Sequence, residues 1–320
     1  MGTLRFMDDP TWRHVGSPQY PDHDENGFCN ELTLAASKYI LTGSSHVYGT
    51  NLVPVDTWPI RLQREGVPIY SASMGAWSLM QFALVSQTYL KPFHRKLVVS
   101  IYLGFDVYAT LKQSIDVRNG SLFGFVRDGD LKLGMDWRPR QARDEAVKKA
   151  RELGANLEEA LRQAFDLGLQ DCMPVIADGA EWWIEPHLRL QTTDLSSPYM
   201  RRAFELCRSY LDVIQTNCTE RGVELEILLI PTKEAAVFHR AVGQQRGGFD
   251  GDALVDAERR LAREFACHLS AAGVRLTDLW TLYSTTPVGD LFDPIPLEGH
   301  PSARGAAAIA QWVRREHFGL

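Results

Sequence analysis

The chain has 320 residues, of which 45% are hydrophobic and 23% charged, a composition typical of a globular protein. Its 34 Lys and Arg residues against 40 Asp and Glu residues give a formal charge of −6, which argues against a nucleic-acid surface because such surfaces need clustered cations. No apolar run approaches the roughly 18 residues of a membrane-spanning helix. We therefore expect one domain with a large buried core and no membrane span.

Short apolar, β-branched runs followed by turn residues predict five strands. They are residues 39–42, 68–70, 96–103, 224–230 and 274–276. Helical periodicity predicts helices at residues 57–64, 77–90, 199–221, 253–272 and 302–316. Continuous apolar strands that alternate with helices are typical of an α/β fold with a doubly wound parallel sheet. Ligands of such sheets bind at the carboxyl ends of the strands, so chemistry is expected just after each strand.

The third and fourth predicted strands are separated by roughly 120 residues, which is far more than an ordinary crossover needs. We interpret residues 107–222 as a mostly helical insertion within a single domain, residues 1–320. Helical spacing is clearest at residues 140–170, and Trp182 and Trp183 form an aromatic pair. Two interpretations stay open: the segment is a lid over the site, or it is a structural elaboration that never touches substrate.

Cysteine usage and the start of the chain bear on metals and compartment. The five cysteines are scattered, with no CxxC pair and no histidine at metal-ligand spacing. This pattern favours reduced thiols over disulfides or a zinc site. Residues 1–15 lack the apolar segment of a secretory signal. We expect a cytoplasmic protein with no metal and no cofactor.

Two segments contain residue types suited to nucleophilic catalysis. Ser45 lies in the turn at residues 43–49, and a serine at a strand-to-helix turn can be exposed as a nucleophile. His300 lies on a Pro- and Gly-rich loop two residues after Glu298, which suits an oriented general base. The alternatives are a helix-capping serine and a surface histidine. Lys233, on the turn after the fourth strand, is predicted to be solvated rather than to face an anionic substrate.

Taken together and in chain order, several blocks resemble SGNH, or GDSL-like, hydrolases, a family of esterases and lipases. The matching blocks are Asp24-Glu25-Asn26-Gly27-Phe28, Gly43-Ser44-Ser45-His46-Val47-Tyr48-Gly49, Tyr70 to Ser78, Leu103 to Asp106, Pro231 to Glu234, and Glu298 to Gly305. Their order is more specific than any single block. The resemblance implies a flavodoxin-like sheet in which Ser45 attacks an ester carbonyl, His300 accepts its proton and Glu298 orients the imidazole. Asp293 is the reserve candidate for the acid.

The resemblance also implies an oxyanion hole, and here the chain departs from the family pattern. The residues expected at the oxyanion and substrate site are Ser44, Gly75, Ala76, Phe105 and Asp106. Phe105 stands where the family has an Asn donor, and losing one such donor typically costs about 10²–10³ in rate. Ser44 replaces an Asp, and Ala76 replaces a Gly. The hydroxyls expected to supply the missing donor are those of Ser73, Ser78 and Tyr48.

These features predict an ester hydrolase or an O-acyltransferase that acts on a small-molecule ester or acyl substrate through an acyl-enzyme. An aromatic lid that dries the site would favour transfer. The alternative is a catalytically impaired binding protein on the same fold, which Phe105 favours. A nucleotide-binding protein is disfavoured because no GxGxxG or Walker glycine pattern follows the first strand.

Overall fold

A central parallel sheet organises the chain in the computed structural model, which describes residues 12–14, 23–118, 125–127, 173–241, 249–294 and 298–319. The strands of these ranges are β1 (Trp12–His14), β2 (Tyr39–Gly43), β3 (Ile69–Ser73), β4 (Lys96–Tyr102), β5 (Phe125–Arg127), β6 (Met173–Ala177), β7 (Ala180–Ile184), β8 (Glu224–Ile230) and β9 (Arg275–Asp278). Five of them form one parallel sheet in the order β3-β2-β4-β8-β9. This is the flavodoxin-like order, and it confirms the predicted fold class.

The strands lie where the apolar runs predict them. Every residue of β3 and β4 is buried, because helices cover both faces of the sheet, as parallel strands require. Thr42 pairs with Ala72 on one side and with Val99 on the other. The carboxyl ends of β2, β3 and β4 therefore meet at one edge of the sheet, where the ligand site is expected.

Helices connect the strands and cover the sheet. They are α1 (Ser45–Tyr48), α2 (Trp58–Arg64), α3 (Leu79–Thr88), α4 (Asp106–Arg118), α5 (Pro186–Thr193), α6 (Pro198–Arg221), α7 (Lys233–Arg240), α8 (Gly251–Ala271), α9 (Trp280–Thr285), α10 (Val288–Leu291) and α11 (Ala303–Phe318). Buried side chains of α3, α4 and α6 pack in one core layer, and those of α2 and α11 pack in the other. All five predicted helices are present.

Both ends of the predicted insertion, residues 107–222, lie in helices of the main core. Val107 of α4 and Cys207 and Tyr210 of α6 are buried in the same apolar cluster as the sheet. Residues 128–172 fall outside the described ranges. The lid and the domain boundaries therefore stay predictions.

The aromatic pair of the predicted lid lies in an antiparallel hairpin of β6 and β7. Trp182 is buried in the core, and its indole N–H donates to the Ala177 carbonyl at 3.2 Å. Trp183 donates instead to Glu181 at the surface, at 2.9 Å. Trp182 is thus fixed by packing.

Among the helices of the described ranges, none combines the length and apolar character needed to cross a bilayer.

Candidate active site

A sharp turn after β2 exposes Ser45. A Cβ on Gly43 would lie 2.3 Å from Cγ2 of Val47, so only glycine allows α1 to fold back so tightly against the strand. Ser45 is the first residue of α1. N–H groups in the first turn of a helix have no intrahelical acceptor and form its electropositive end. The serine is therefore presented with a backbone donor that is free of helical bonding.

The loop before α11 is fixed by its contacts with Leu291. The Ser302 N–H donates to the Leu291 carbonyl at 2.9 Å, and the Ser302 hydroxyl caps α11 by accepting from Gly305 N at 3.1 Å. A Cβ on Gly305 would lie 2.0 Å from the same carbonyl oxygen, so glycine is required there. These contacts fix the backbone next to His300.

Ser45, His300 and Glu298 meet in one hydrogen-bonded chain. His300 Nε2 lies 2.8 Å from Ser45 Oγ, and His300 Nδ1 lies 2.5 Å from Glu298 Oε1. The His300 backbone N–H also donates to Glu298 Oε1, at 2.8 Å. In the described residues, Asp293 makes no hydrogen bond with this histidine. Glu298 is therefore the carboxylate in contact with the imidazole.

Lys233 supports the same loop, and the prediction that it is solvated is wrong. The residue is 2% exposed, and its Nζ donates to the Glu298 carbonyl at 2.8 Å while lying 5.5 Å from the centre of the Trp182 ring. Burial acts to raise the pKa of Glu298, but hydrogen bonds from His300 and the charge of Lys233 prevail and lower it. The carboxylate thus stays ionised beside the imidazole.

A pocket of about 220 Å³ opens at the serine, somewhat below the usual size of pockets for drug-sized ligands. Its lining residues are Ser45, His46, Ala76, Tyr102, Phe105, Arg189, Gly299 and His300. Phe105 of the predicted set therefore does face the site, although its ring cannot donate a hydrogen bond.

The second predicted block reaches the pocket through Ala76. This residue has φ 61°, in the left-handed region that favours glycine, and Gln113 Nε2 donates to its carbonyl at 2.6 Å. A Cβ at Gly75 would meet only Thr50 Oγ1, at 3.5 Å. Strained backbone of this kind clusters at functional sites. Gly75 itself is not among the residues that line the pocket.

Ser44 and Asp106 lie behind the pocket instead of lining it. Asp106 is fully buried, and its Oδ2 accepts from the Tyr102 N–H at 2.8 Å. Burial raises the pKa of Asp106 to about 8, although the Tyr102 N–H and the Ser44 hydroxyl act in the opposite direction. Asp106 therefore holds the backbone at the end of β4, and the Ser44 hydroxyl lies buried near it.

The three hydroxyls expected to replace the missing Asn donor bond elsewhere. The Ser73 hydroxyl shares a hydrogen bond with that of Ser71 at 2.7 Å. The Ser78 hydroxyl donates to Gln113 Oε1 at 2.8 Å. The Tyr48 hydroxyl is hydrogen-bonded to His23 Nε2 at 3.2 Å. None of the three is among the pocket residues.

Sequence reasoning missed four pocket residues, and three of them have ionisable side chains: His46, Tyr102 and Arg189. The His46 ring lies 3.8 Å from that of Tyr102 and 4.7 Å from that of His300, centre to centre. Burial, followed by the charges of His300 and Arg189, lowers the pKa of His46 well below its ordinary value. His46 is therefore a neutral ring in the pocket wall. No local sequence signal marks Arg189, which lies inside the predicted insertion.

Comparison with known proteins places these features beside lipolytic enzymes of low similarity. No protein-family model matches the chain, and no curated protein is similar to it in sequence. A GDSL-like lipase from Bacteroides thetaiotaomicron VPI-5482 is 7% identical, covers 88% of each chain and has a TM-score of 0.42. An extracellular lipase from Streptomyces rimosus is 12% identical over 85% of this chain and 96% of its own, with a TM-score of 0.45.

Phospholipase A1 from Streptomyces albidoflavus NA297 is 10% identical over 85% of this chain and 95% of its own, with a TM-score of 0.46. Identities this low say nothing about activity, and the fold assignment rests on this chain's own strand order. That order and the meeting of Ser45 with His300 are those that the sequence resemblance implies. The fold that this chain shows is an α/β fold with a five-stranded parallel sheet in the flavodoxin-like order.

Proposed function

We propose that this protein is a serine-dependent ester hydrolase or O-acyltransferase that acts through an acyl-enzyme. The observation that supports it most directly is the hydrogen-bonded chain from Ser45 Oγ through His300 to Glu298. The Ser45 end of this hydrogen-bonded series lies in a pocket at the carboxyl edge of a parallel sheet. Three groups in this relation activate a hydroxyl for acyl transfer.

The proposed reaction accounts for each proton. Ser45 Oγ forms a bond to the acyl carbon while its proton moves to His300 Nε2, and the carbonyl π electrons move to the carbonyl oxygen. The oxyanion electrons then re-form the carbonyl and the bond from the acyl carbon to the leaving oxygen breaks. That oxygen takes the proton from Nε2, and the acyl group remains on Ser45. Glu298 stabilises the imidazolium through Nδ1 and stays ionised throughout.

The second half of the reaction determines which activity the protein has. Water gives a carboxylic acid, whereas an alcohol gives a new ester, and in both cases His300 removes the proton from the attacking oxygen. A partition experiment separates the two: a 4-nitrophenyl ester is offered together with increasing concentrations of an alcohol. A transferase converts the acyl-enzyme mainly to the new ester, and a hydrolase releases the acid.

The test of the proposal is covalent labelling. Intact mass is measured after incubation with a fluorophosphonate for the wild type, Ser45→Ala and His300→Ala. We expect one adduct on the wild type and none on either variant. Ser270→Ala is the matched control, because it removes an exposed serine hydroxyl of α8 and should leave the adduct in place. A folded wild type that forms no adduct would contradict the proposal.

A binding protein with an impaired site is the second candidate, and Phe105 in the position of the Asn donor favours it. Such a protein is expected to show raised thermal stability with acyl compounds and no turnover, because a ligand that binds only the folded state stabilises it. Labelling of Ser45 by the fluorophosphonate would exclude this reading.

A further inference from the structure

The candidate site needs a donor that its sequence blocks do not supply. An oxyanion formed at the substrate carbonyl requires hydrogen-bond donors already in place. The Ser45 N–H is one, but Phe105 has none to offer. The hydroxyls of Ser73, Ser78 and Tyr48 are engaged elsewhere. Of the other pocket side chains that the structure describes, His46, Tyr102 and Arg189 carry N–H or O–H donors, and among these three Arg189 is the one with a permanent positive charge.

Arg189 is held with one nitrogen left over. It lies on α5, its Nε lies 3.3 Å from Glu234 Oε1, and its Nη1 donates to the Gly104 carbonyl at 3.3 Å. In the described ranges Nη2 makes no hydrogen bond, and it lies 3.6 Å from the position of a Cβ on Gly299. Gly104 directly precedes Phe105, so the guanidinium is anchored at the block that lacks its Asn.

The charge of this guanidinium is preserved in the buried site. Burial alone would lower the pKa of Arg189, but the nearby Tyr102 and Glu234 outweigh it and raise the pKa above its ordinary value. The side chain of Glu234 is 5% exposed, so the two charges form a nearly buried pair. Donors to charged groups are strengthened where water is excluded. The free N–H of Nη2 is therefore a permanent, oriented donor.

We propose that Arg189 is a catalytic residue whose Nη2 donates a hydrogen bond to the oxyanion formed when Ser45 attacks. This inference rests on the proposed function. As the bond from Ser45 Oγ to the acyl carbon forms, the carbonyl π electrons move to oxygen, and the guanidinium stabilises that charge without giving up a proton. The proton of Ser45 goes to His300 as before.

A different role for the same side chain is recognition of a carboxylate or phosphate on the substrate. Arginine binds such groups best in a bidentate manner, through two nitrogens. Nη1 of Arg189 donates to the Gly104 carbonyl. Its Nε makes no hydrogen bond within the described residues but faces the Glu234 carboxylate at 3.3 Å, which would repel a second anion at that edge. A single free nitrogen suits one oxyanion better than a carboxylate.

The first experiment compares the double variant Arg189→Met/Glu234→Gln with Glu234→Gln alone. The shared Glu234→Gln change avoids leaving a buried carboxylate without a partner. Steady-state constants are measured for neutral 4-nitrophenyl acetate and for the anionic 4-nitrophenyl succinate monoester. We expect kcat to fall about 10²–10³-fold for both esters, with KM nearly unchanged. Arg189→Lys keeps the charge without the fork of nitrogens and should recover only part of the rate.

Three outcomes overturn the inference, and they are separable. A wild type that is not labelled by fluorophosphonate on Ser45 removes the proposed function, and the inference is lost with it. Normal labelling with an unchanged kcat in the double variant refutes the role of Arg189 alone. An increase in KM confined to the anionic ester shows substrate recognition instead of oxyanion binding.

A measurement on the wild type keeps the inference testable if the double variant does not fold. Protein labelled with ¹⁵N-arginine is treated with a trifluoromethyl ketone, which forms a tetrahedral oxyanion on Ser45. We expect the resonance of one guanidinium to shift in the wild type and to stay unchanged in Ser45→Ala. No shift in a wild type that carries the adduct would contradict the inference.

Discussion

Replacement of Lys233 by Met tests whether a buried charge behind the triad controls its acid. The variant keeps the apolar stem against Trp182 and removes the donor to the Glu298 carbonyl, which lies 2.8 Å from Nζ. A hydrogen bond to a charged group contributes about 1.5–3 kcal/mol, and a cation–π contact adds about 0.5–1 kcal/mol. We therefore expect the free energy of unfolding to fall by about 2–4 kcal/mol.

Function should respond separately from stability. Without the nearby cation, the lowered pKa of Glu298 moves up towards its ordinary value. A group with a lowered pKa in the folded protein is ionised above that pKa and protonated below it, so the acidic limb of the pH–rate profile should move to higher pH. A shift of about 1 Å in the imidazole costs as much as 10²-fold. We expect fluorophosphonate modification at neutral pH to slow by about 10- to 100-fold.

The assay for Lys233→Met combines urea unfolding with rates of modification across the pH range. Lys112→Met is the matched control, because Lys112 is exposed on α4 and surface changes usually stay within about 0.5 kcal/mol. A variant that loses stability but keeps both the rate and the acidic limb would refute the coupling. Lys233 would then be a packing residue only.

Three further predictions concern stability. Because burial raises the pKa of Asp106 to about 8, the folded protein retains a proton that the unfolded chain releases between about pH 4 and 8, so stability should fall with rising pH there by up to about 1.4 kcal/mol per unit from this group. Asp106→Asn should flatten that slope in urea titrations at several pH values, and an unchanged slope would contradict the assignment. Ala76→Gly should raise the free energy of unfolding measured in urea by about 0.5–1 kcal/mol, since it relieves the left-handed φ of 61°; lower stability would count against strain. Glu226→Ala leaves Lys96 without the carboxylate at 2.8 Å and should cost about 3–5 kcal/mol with Ser45 labelling retained in the folded fraction; a loss below about 1 kcal/mol would show that the pair contributes little.

The parts of the fold that could be predicted from the sequence are those in which buried positions produce a recognisable pattern of apolar residues. β4 and β8 are nearly continuous apolar runs because both of their faces are covered, so their positions were predictable. Helix α4 was not, because its buried face includes Thr110 and Ser114. Each hydroxyl donates to a carbonyl of its own helix, at 2.7 Å, from Thr110 to Asp106 and from Ser114 to Leu111. Buried polar groups satisfied in this way leave no apolar periodicity to detect.

The contact of Ser45, His300 and Glu298 was predictable for a different reason, since the resemblance names these residues one by one. Contacts that residues outside the matching blocks make with these three residues were not predictable. Lys233 was expected to be solvated because lysines are rarely buried without a partner, and its partner, Glu298, lies 65 residues away in the chain. A pairing between distant residues has no signature in a single sequence. Burial statistics therefore fail where a partner satisfies the charge.

The same reasoning bears on whether Phe105 implies a silent site. The matching sequence blocks supply one hydrogen-bond donor fewer than the oxyanion hole of the family pattern has. This missing donor is the basis for the alternative of a binding protein with an impaired site. The pocket, however, is formed by whatever the fold brings to the edge of the sheet, and α5 brings Arg189 to the carbonyl of Gly104, next to the substituted position. A guanidinium fixed by Glu234 is a stronger donor than the amide of an Asn. Loss of the Asn therefore does not by itself predict loss of activity, because the donor can be supplied from another segment of the chain.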